Sequence, residues 1–515
     1  MQEFLGLIFF IWLMYWVMKY VYKTVFRINS ISSKGRNLLS HFAIKPFLGI
    51  FSFLFGGLKH SGMMGRLEER RFLKSSNSGL VIDGQNKKLS LKNSFNHMGI
   101  IARSGAGKTT TYIIPNILKL AESKNSMIIT DLSGELFMQT SGYLKKKGYK
   151  IHILDPENLE ESINYNPLYY ASSSIAIDQI SETLIKSANS GEVRAEDKVW
   201  LDGAKVLISI FIKVLIKTRE FKYINLANIK HLINNFGADG RGLDGFMYKY
   251  ADEKTFNEWK GFVNGNPKTV LSYISTANTA LNPIGINDNL EKLTLNHTIN
   301  FKNFREEKTV LYIRIPAQKQ EQYSFLLNLF YRQFFNSMME ELPKKSDLPI
   351  FCLLDEFGNM NIPNFSTTIT TIRKYKVSIS IVLQDYSQLE HKYGKNESHT
   401  IINGGIAGKL FYGGADLQIT NMLTQMLGTK YVNQIDELGN LHHIKEPVLS
   451  NAEIRTMKDN EALFIFSNKL PIKMKIKPFY EDFLLKSYTQ LKPYVTEKNQ
   501  IKSKVEYIDL AKYND

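Results

Sequence analysis

Residues 100–110 read IIARSGAGKTT, and residues 350–358 read IFCLLDEFG. In the first stretch, apolar residues of β character lead into a loop of small residues, Ser104, Gly105, Ala106 and Gly107. Lys108, Thr109 and Thr110 follow and open a helical pattern. This is the P-loop arrangement. Small residues let successive backbone N–H groups curl around phosphate oxygens, and the next helix turns the positive end of its dipole toward them. Lys108 would reach the β and γ phosphates of ATP, and Thr109 would ligate Mg²⁺. The pattern asks for glycine at its first position, where this chain has the small Ala102. In the second stretch an apolar run ends in adjacent carboxylates, the form of a Walker B strand. An in-line attack on a phosphate needs a metal clamp and an oriented nucleophile. Asp355 would hold the metal and Glu356 would act as general base. Cys352 lies inside this strand and reads as core.

Two further residues stand near these motifs. The apolar run Ile379–Leu383 ends at Gln384. A glutamine there either senses the γ-phosphate or the attacking water, or is an ordinary polar strand end. Arg373 sits in TTIRKYK between the two runs. It is either an arginine finger acting across a subunit interface or a surface residue clustered with Lys374 and Lys376.

Short β-rich runs recur along the chain: 79–82, 98–102, 127–130, 150–154, 309–315, 350–354, 378–383, 409–412 and 462–467. Most are continuously apolar, as expected of strands buried on both faces of a parallel sheet. Helical segments separate several of them, which predicts an α/β layered domain. Residues 168–305 differ. Ala204, Leu207, Phe211, Val214 and Leu215 follow helical spacing, as do Phe256, Trp259 and Phe262. This interval is expected to be an all-α domain inserted into the α/β domain, which then comprises 61–167 and 306–480. Residues 481–515 are mixed and Lys-rich, the composition of a surface tail.

Residues 1–60 read as a membrane anchor. Phe4–Met18 is uncharged, and with Tyr20–Tyr22 the stretch is broken only by Lys19. Nineteen residues at 1.5 Å each cover about 28 Å, enough to cross a bilayer core. The aromatics Trp12, Tyr15, Trp16, Tyr20 and Tyr22 suit the interfaces. A second run, Phe47–Leu58, is shorter and is either a second span or an interfacial helix. Lys23, Arg27, Lys34 and Arg36 lie between the runs, and the positive-inside rule makes this segment cytoplasmic, favouring one span.

The chain has 515 residues and 65 Lys plus Arg against 49 Asp plus Glu, a net charge of +16. Hydrophobic residues make up 43%, which excludes a wholly disordered chain. The single cysteine excludes a disulfide framework and any multi-cysteine metal site. The positive balance points to a polyanion, nucleic acid or an anionic membrane surface. The Lys145–Lys147 run reads as a solvated helix end, and His442 and His443 as surface residues without a completing ligand set.

The ordered set of motifs resembles the type IV secretion system coupling proteins, the TraG/TraD-type ATPases of conjugation. It comprises ARSGAGKTTTYIIPNIL, ITDLSGELF, HILDPEN, NYNPL, LLDEFGNM, IVLQDYSQLEHKYG, KLFYGGAD and MLGTK, and reaches from the anchor to about residue 480. The resemblance implies a RecA-like motor domain carrying an all-α domain, anchored in the inner membrane by usually two spans and assembling as a homo-hexamer around a channel. It implies ATP and Mg²⁺ as cofactors. The expected partners are DNA, single-stranded and bound without sequence preference, a relaxase or relaxosome, and components of the secretion channel. Lys108, Thr109, Asp355, Glu356, Arg373 and Gln384 each fall where that family places functional residues. The loop DLSGE departs from the commoner DPKGE, which puts a role for it in doubt. Two other readings remain open at this point: a docking receptor that uses nucleotide only to control assembly, and an FtsK-like DNA translocase.

Overall fold

The computed structural model describes residues 62–188, 197–236, 241–414, 416–435, 441–498 and 504–514. The anchor expected over 1–60 lies outside them. Among the described residues no helix is long and apolar enough to cross a membrane.

The chain forms β1 (Met98–Ile101), β2 (Ser126–Thr130), β3 (Lys150–Leu154), β4 (Thr309–Ile313), β5 (Ile350–Leu354), β6 (Val377–Leu383) and β7 (Gly408–Tyr412), then β8 (Thr429–Ile435), β9 (Leu441–Pro447), β10 (Glu461–Phe466) and β11 (Ile472–Lys475). Among the described residues nine of these make one sheet in the order β11-β10-β7-β1-β6-β5-β2-β4-β3. From β7 to β3 all neighbours are parallel, while β10 runs antiparallel to both β7 and β11. Every residue of β1, β2, β4, β5, β6 and β7 is buried. Continuous apolar runs therefore mark these strands, because each side chain finds a core above or below the sheet. Met127, Ile129, Phe351 and Leu353 enter one core, and Ile128, Ile350, Cys352 and Leu354 enter the other.

Two local outcomes differ from the sequence expectation. Residues 79–82 are buried but contribute only one bridge, Val81 to Lys88. The strand stops because the Asp83 carboxylate gathers the N–H groups of Gln85, Asn86 and Lys87 into a turn. The hydrogen bonds of Val81 are completed by a side chain: Asn116 accepts from its N–H (2.8 Å) and donates to its carbonyl (2.9 Å). Asn116→Ala leaves both buried groups unpaired and should cost about 3 kcal/mol, read from the guanidinium midpoint. The other difference is the hairpin β8–β9, which pairs only with itself among the described residues. The side chains of His442 and His443 lie outside those described.

The helices that matter here are α1 (Ile114–Leu120), α2 (Glu135–Lys146), α3 (Ser174–Ala188), α4 (Lys198–Thr218), α5 (Leu226–Asn234), α6 (Arg241–Tyr250), α7 (Glu253–Val263), α8 (Pro267–Ala280), α9 (Gln320–Met339), α10 (Phe365–Thr371), α11 (Tyr386–His399) and α12 (Phe483–Thr489). Between β3 and β4 the described residues hold helices and no strand. Ala204, Leu207, Phe211, Val214 and Leu215 of α4 are fully buried, as their spacing predicts. Each of the larger ones contributes about 1.5–3 kcal/mol by leaving water. Their core is continuous with the one beneath β5 and β6.

The segment beyond 480 does not lie free: among the described residues, side chains of the body fasten its backbone at two places. Tyr488 of α12 stacks on Tyr143 of α2 at 4.1 Å, and the Tyr494 N–H donates to Ser141 Oγ. Gly142 is required there, since a Cβ would lie 2.2 Å from the Lys492 carbonyl. Further on, Asn228 brackets the chain. Its Nδ2 donates to the Glu506 carbonyl, and its Oδ1 accepts from the Ile508 N–H, both at 3.0 Å. Ile508 is buried against these helices.

Candidate nucleotide-binding site

β6 lies between β1 and β5, with Ile101 opposite Leu383 and Leu354 opposite Ile381. The chain therefore leaves all three strands at one edge of the sheet, and Ala102, Asp355 and Gln384 exit side by side. This is the carboxyl edge, where open α/β sheets bind ligands.

The loop after β1 turns through left-handed glycines, Gly105 (φ +76°) and Gly107 (φ +79°). Side chains rarely adopt that conformation, so the cradle depends on glycine at both. The helix that follows opens as a π turn over Thr109–Ile113 before continuing as α1. Tyr112 anchors it on the sheet, its hydroxyl 2.9 Å from Ser380 Oγ in β6, and Thr111 Oγ1 lies 2.7 Å from the Tyr412 hydroxyl in β7. Lys108 is buried, and its Nζ donates to the Ala102 carbonyl at 3.0 Å. Burial pulls its pKa below the usual lysine range, and the carboxylates of Asp355 and Glu356 oppose that shift.

Asp355 follows β5. Burial pushes its carboxyl up to about 6; Lys108 opposes the rise, while Glu356 and Asp131 add to it. Its Oδ1 accepts the Glu356 N–H at 3.1 Å. Glu356 itself is left-handed (φ +49°, ψ +42°), a conformation that strains a residue with a side chain. The sequence places nothing special there. Gln384 continues β6, and its N–H donates to Gln388 Oε1 at 3.2 Å.

The structure thus brings Ser104 to Thr110, Asp355, Glu356 and Gln384 to one edge. It does not bring Arg373 there. Arg373 precedes β6, at the amino edge, exposed and followed by Lys374 and Lys376. Asp131 is a neighbour that sequence reasoning left doubtful. It ends β2, fully buried, and accepts the N–H groups of Leu136 (3.2 Å) and Phe137 (2.7 Å), capping α2. Its place at the end of an apolar run, four residues before a helix, is the signal the sequence carries.

The residues present fit Mg²⁺ and a nucleotide phosphate. Two glycines shape a cradle that a Cβ would strain, a buried ammonium faces two carboxylates, and a hydroxyl opens the helix. Asp355 is the member under electrostatic load. Its folded pKa lies above its ordinary value, so the ionised form is penalised above about pH 6 and the penalty vanishes toward pH 4. In the nucleotide-free protein, Asp355→Asn should therefore raise stability by on the order of 2 kcal/mol at pH 8. The gain should fade as the pH falls through 6. Guanidinium unfolding at pH 8 and pH 5 reads it, and an equal gain at both would contradict the argument.

The sequence matches the family described as Type IV secretory system Conjugative DNA transfer over residues 63–506. It is 24% identical over 410 residues to the protein VirD4 of Agrobacterium fabrum (strain C58 / ATCC 33970), covering 76% of this chain. The chain spans 59% of the length of that curated relative. The fold is that of the bacterial conjugative coupling protein TrwBdeltaN70 in complex with sulphate, with a TM-score of 0.65 at 16% identity over 81% of this chain and 93% of the other. TrwB in complex with the non-hydrolysable ATP analogue ADPNP matches at 0.66 and 16% identity over 85% and 96%. TrwB in complex with ADP and Mg²⁺ matches at 0.64 and 15% identity over 81% and 93%. With the family match reaching across the parallel strands, the helices between β3 and β4 and most of the closing segment, this chain belongs to the type IV secretory system conjugative DNA transfer family.

Proposed function

We propose that the chain is a membrane-anchored ATPase that couples a relaxase-bound DNA strand to a type IV secretion channel and drives its transfer by ATP hydrolysis. The observation that carries this reading is the meeting of Lys108, Asp355, Glu356 and Gln384 at the carboxyl edge of adjacent strands, in a chain of the conjugative DNA transfer family. TrwB, whose fold the chain shares, has been seen with ADP and Mg²⁺. In this reading residues 61–167 and 306–480 form a RecA-like motor, 168–305 the inserted all-α domain, and 1–60 the inner-membrane anchor. Six copies assemble around a channel, with the bulk of each in the cytoplasm.

Bound Mg·ATP would supply the γ-phosphoryl group and the metal's charge. The N–H groups of Ser104 to Thr110 would cradle the phosphates, and Lys108 would exchange the Ala102 carbonyl for phosphate oxygens. The Thr109 hydroxyl and the Asp355 carboxylate would hold the metal. Glu356 would take the proton from the attacking water, and Gln384 would orient that water. Arg373 of a neighbouring copy would approach the same phosphate from outside.

The test is ATP turnover by the full chain in detergent, with and without single-stranded or double-stranded DNA. A motor should turn over faster with DNA. Turnover that stays flat with both would sink the translocation reading.

A further inference from the structure

The Asp355–Glu356 turn does not end in solvent. It continues into a 3₁₀ turn, Phe357–Asn359, in which the Glu356 carbonyl accepts the Asn359 N–H (3.2 Å) and the Phe357 carbonyl accepts the Met360 N–H (2.9 Å). A displacement of the Glu356 backbone is therefore handed to Asn359. On one side the turn has no spare room. Phe357 is fully buried against Phe365 of α10 (4.7 Å between rings), and a Cβ on Gly358 would lie 2.6 Å from Gln388 Oε1.

On the other side it meets a file of side-chain amides. Asn359 Nδ2 donates to Gln320 Oε1 at 2.7 Å, and Gln320 is the buried first residue of α9. The Asn361 N–H donates to Asn328 Oδ1 of α9 at 3.2 Å. Asn328 Nδ2 in turn donates to Ser187 Oγ, in the last turn of α3, at 3.0 Å. α9 is bolted to α3 as well. Arg332, buried, donates to the Gln179 carbonyl, to Thr183 Oγ1 and to Glu182 Oε2 at 3.0, 2.8 and 2.6 Å.

Beside this file lies a polar cavity of about 590 Å³, lined by Gln320, Asn328, Asn359, Asn361 and Ser187 among others. Gln320 Nε2 is buried with no hydrogen-bond partner. An amide with its acceptor engaged, its donor unspent and space beside it is suited to a second arrangement, the physical requirement for passing a signal between sites.

We propose that the segment Asn359–Asn361, held to α9 by Asn359 on Gln320 and by the Asn361 N–H on Asn328, with Ser187 beyond Asn328, forms a positioning relay that carries the nucleotide state of the Walker B turn to the first helix of the inserted helical domain. This rests on the part of the proposed function that makes the chain a nucleotide-binding protein, not on its response to DNA. None of these residues touches the phosphate. They act through Glu356 on one side and α3 on the other.

The test uses the full chain in detergent and follows hydrogen exchange of residues 174–188 with and without a non-hydrolysable ATP analogue. In the wild type, exchange in α3 should change on binding. In Asn359→Ala, a substitution at an exposed site, that response should be lost while analogue affinity and melting temperature stay as in the wild type. DNA stimulation of turnover should fall by about fivefold or more. Ser187→Ala should behave likewise, and Ser187→Thr, which keeps the hydroxyl, should restore the response. A wild type that binds the analogue without any change in α3 overturns the relay. So does an Asn359→Ala variant whose α3 responds as fully as the wild type. If α3 responds but DNA leaves wild-type turnover flat, the motor reading fails and the relay stands.

Discussion

Arg373→Ala should lower ATP turnover by about 1,000-fold or more without weakening nucleotide binding by the single chain. The expectation comes from where Arg373 is not. The proposed phosphate site of the same chain lies at the carboxyl edge of the sheet, while Arg373 precedes β6 at the amino edge. The seven residues of β6 hold the two apart by about 20 Å, more than an arginine side chain spans. A guanidinium so placed meets a γ-phosphate only from a neighbouring copy. Mixing makes this decisive. Arg373→Ala and Lys108→Ala should each be inactive alone. In mixed assemblies some interfaces set an intact P-loop against an intact Arg373, and activity should return. No recovery at any ratio would leave Arg373 as a solvated member of its cluster with Lys374 and Lys376.

Glu356→Gln should separate binding from hydrolysis. Glutamine keeps the size of the side chain and the left-handed turn but cannot take a proton from water. Turnover should fall by about 100-fold to 10,000-fold, while the P-loop, Lys108 and Asp355 continue to hold nucleotide. Fluorescent nucleotide binding and steady-state turnover, measured on the same preparation, read the two effects. A mating assay then reads the consequence. A motor loses transfer with this variant, whereas a receptor that uses nucleotide only to set its assembly keeps it.

The parts of the molecule legible in the sequence are those where one chemical requirement has few solutions. A phosphate cradle needs small residues, lysine and a hydroxyl in order, and the structure sets Gly105 and Gly107 at positive φ as that requirement demands. Strands buried on both faces are continuously apolar, so β1, β2, β5 and β6 could be read within a residue or two. The failures have the opposite character. Residues 79–82 are as apolar as a strand, yet the Asn116 side chain takes over hydrogen bonds of Val81 that a neighbouring strand would have made. β11, reading IKMK, is too short and too mixed to stand out, because an edge strand needs only one buried face. Val505 and Ile508 are lone apolar residues in a Lys-rich stretch, so composition reported the stretch and missed its anchors. Asn359 and Asn361 follow the Walker B carboxylates in plain view, but their partners Gln320 and Asn328 are more than thirty residues away, and only the fold joins them.

The two stitches of the closing segment have a mechanical meaning. One end is fastened to α2 at Tyr494, beside the sheet, and the other to α5 at Glu506 and Ile508, among the helices between β3 and β4. Eleven residues lie between the two fastenings in sequence, a contour of about 40 Å at full extension. That length is a leash. The gap between α2 and α5 can widen only until that length is taut. Any larger separation must first break the grip of Asn228 on Glu506 and Ile508, so the closing segment limits how far the two helices can part.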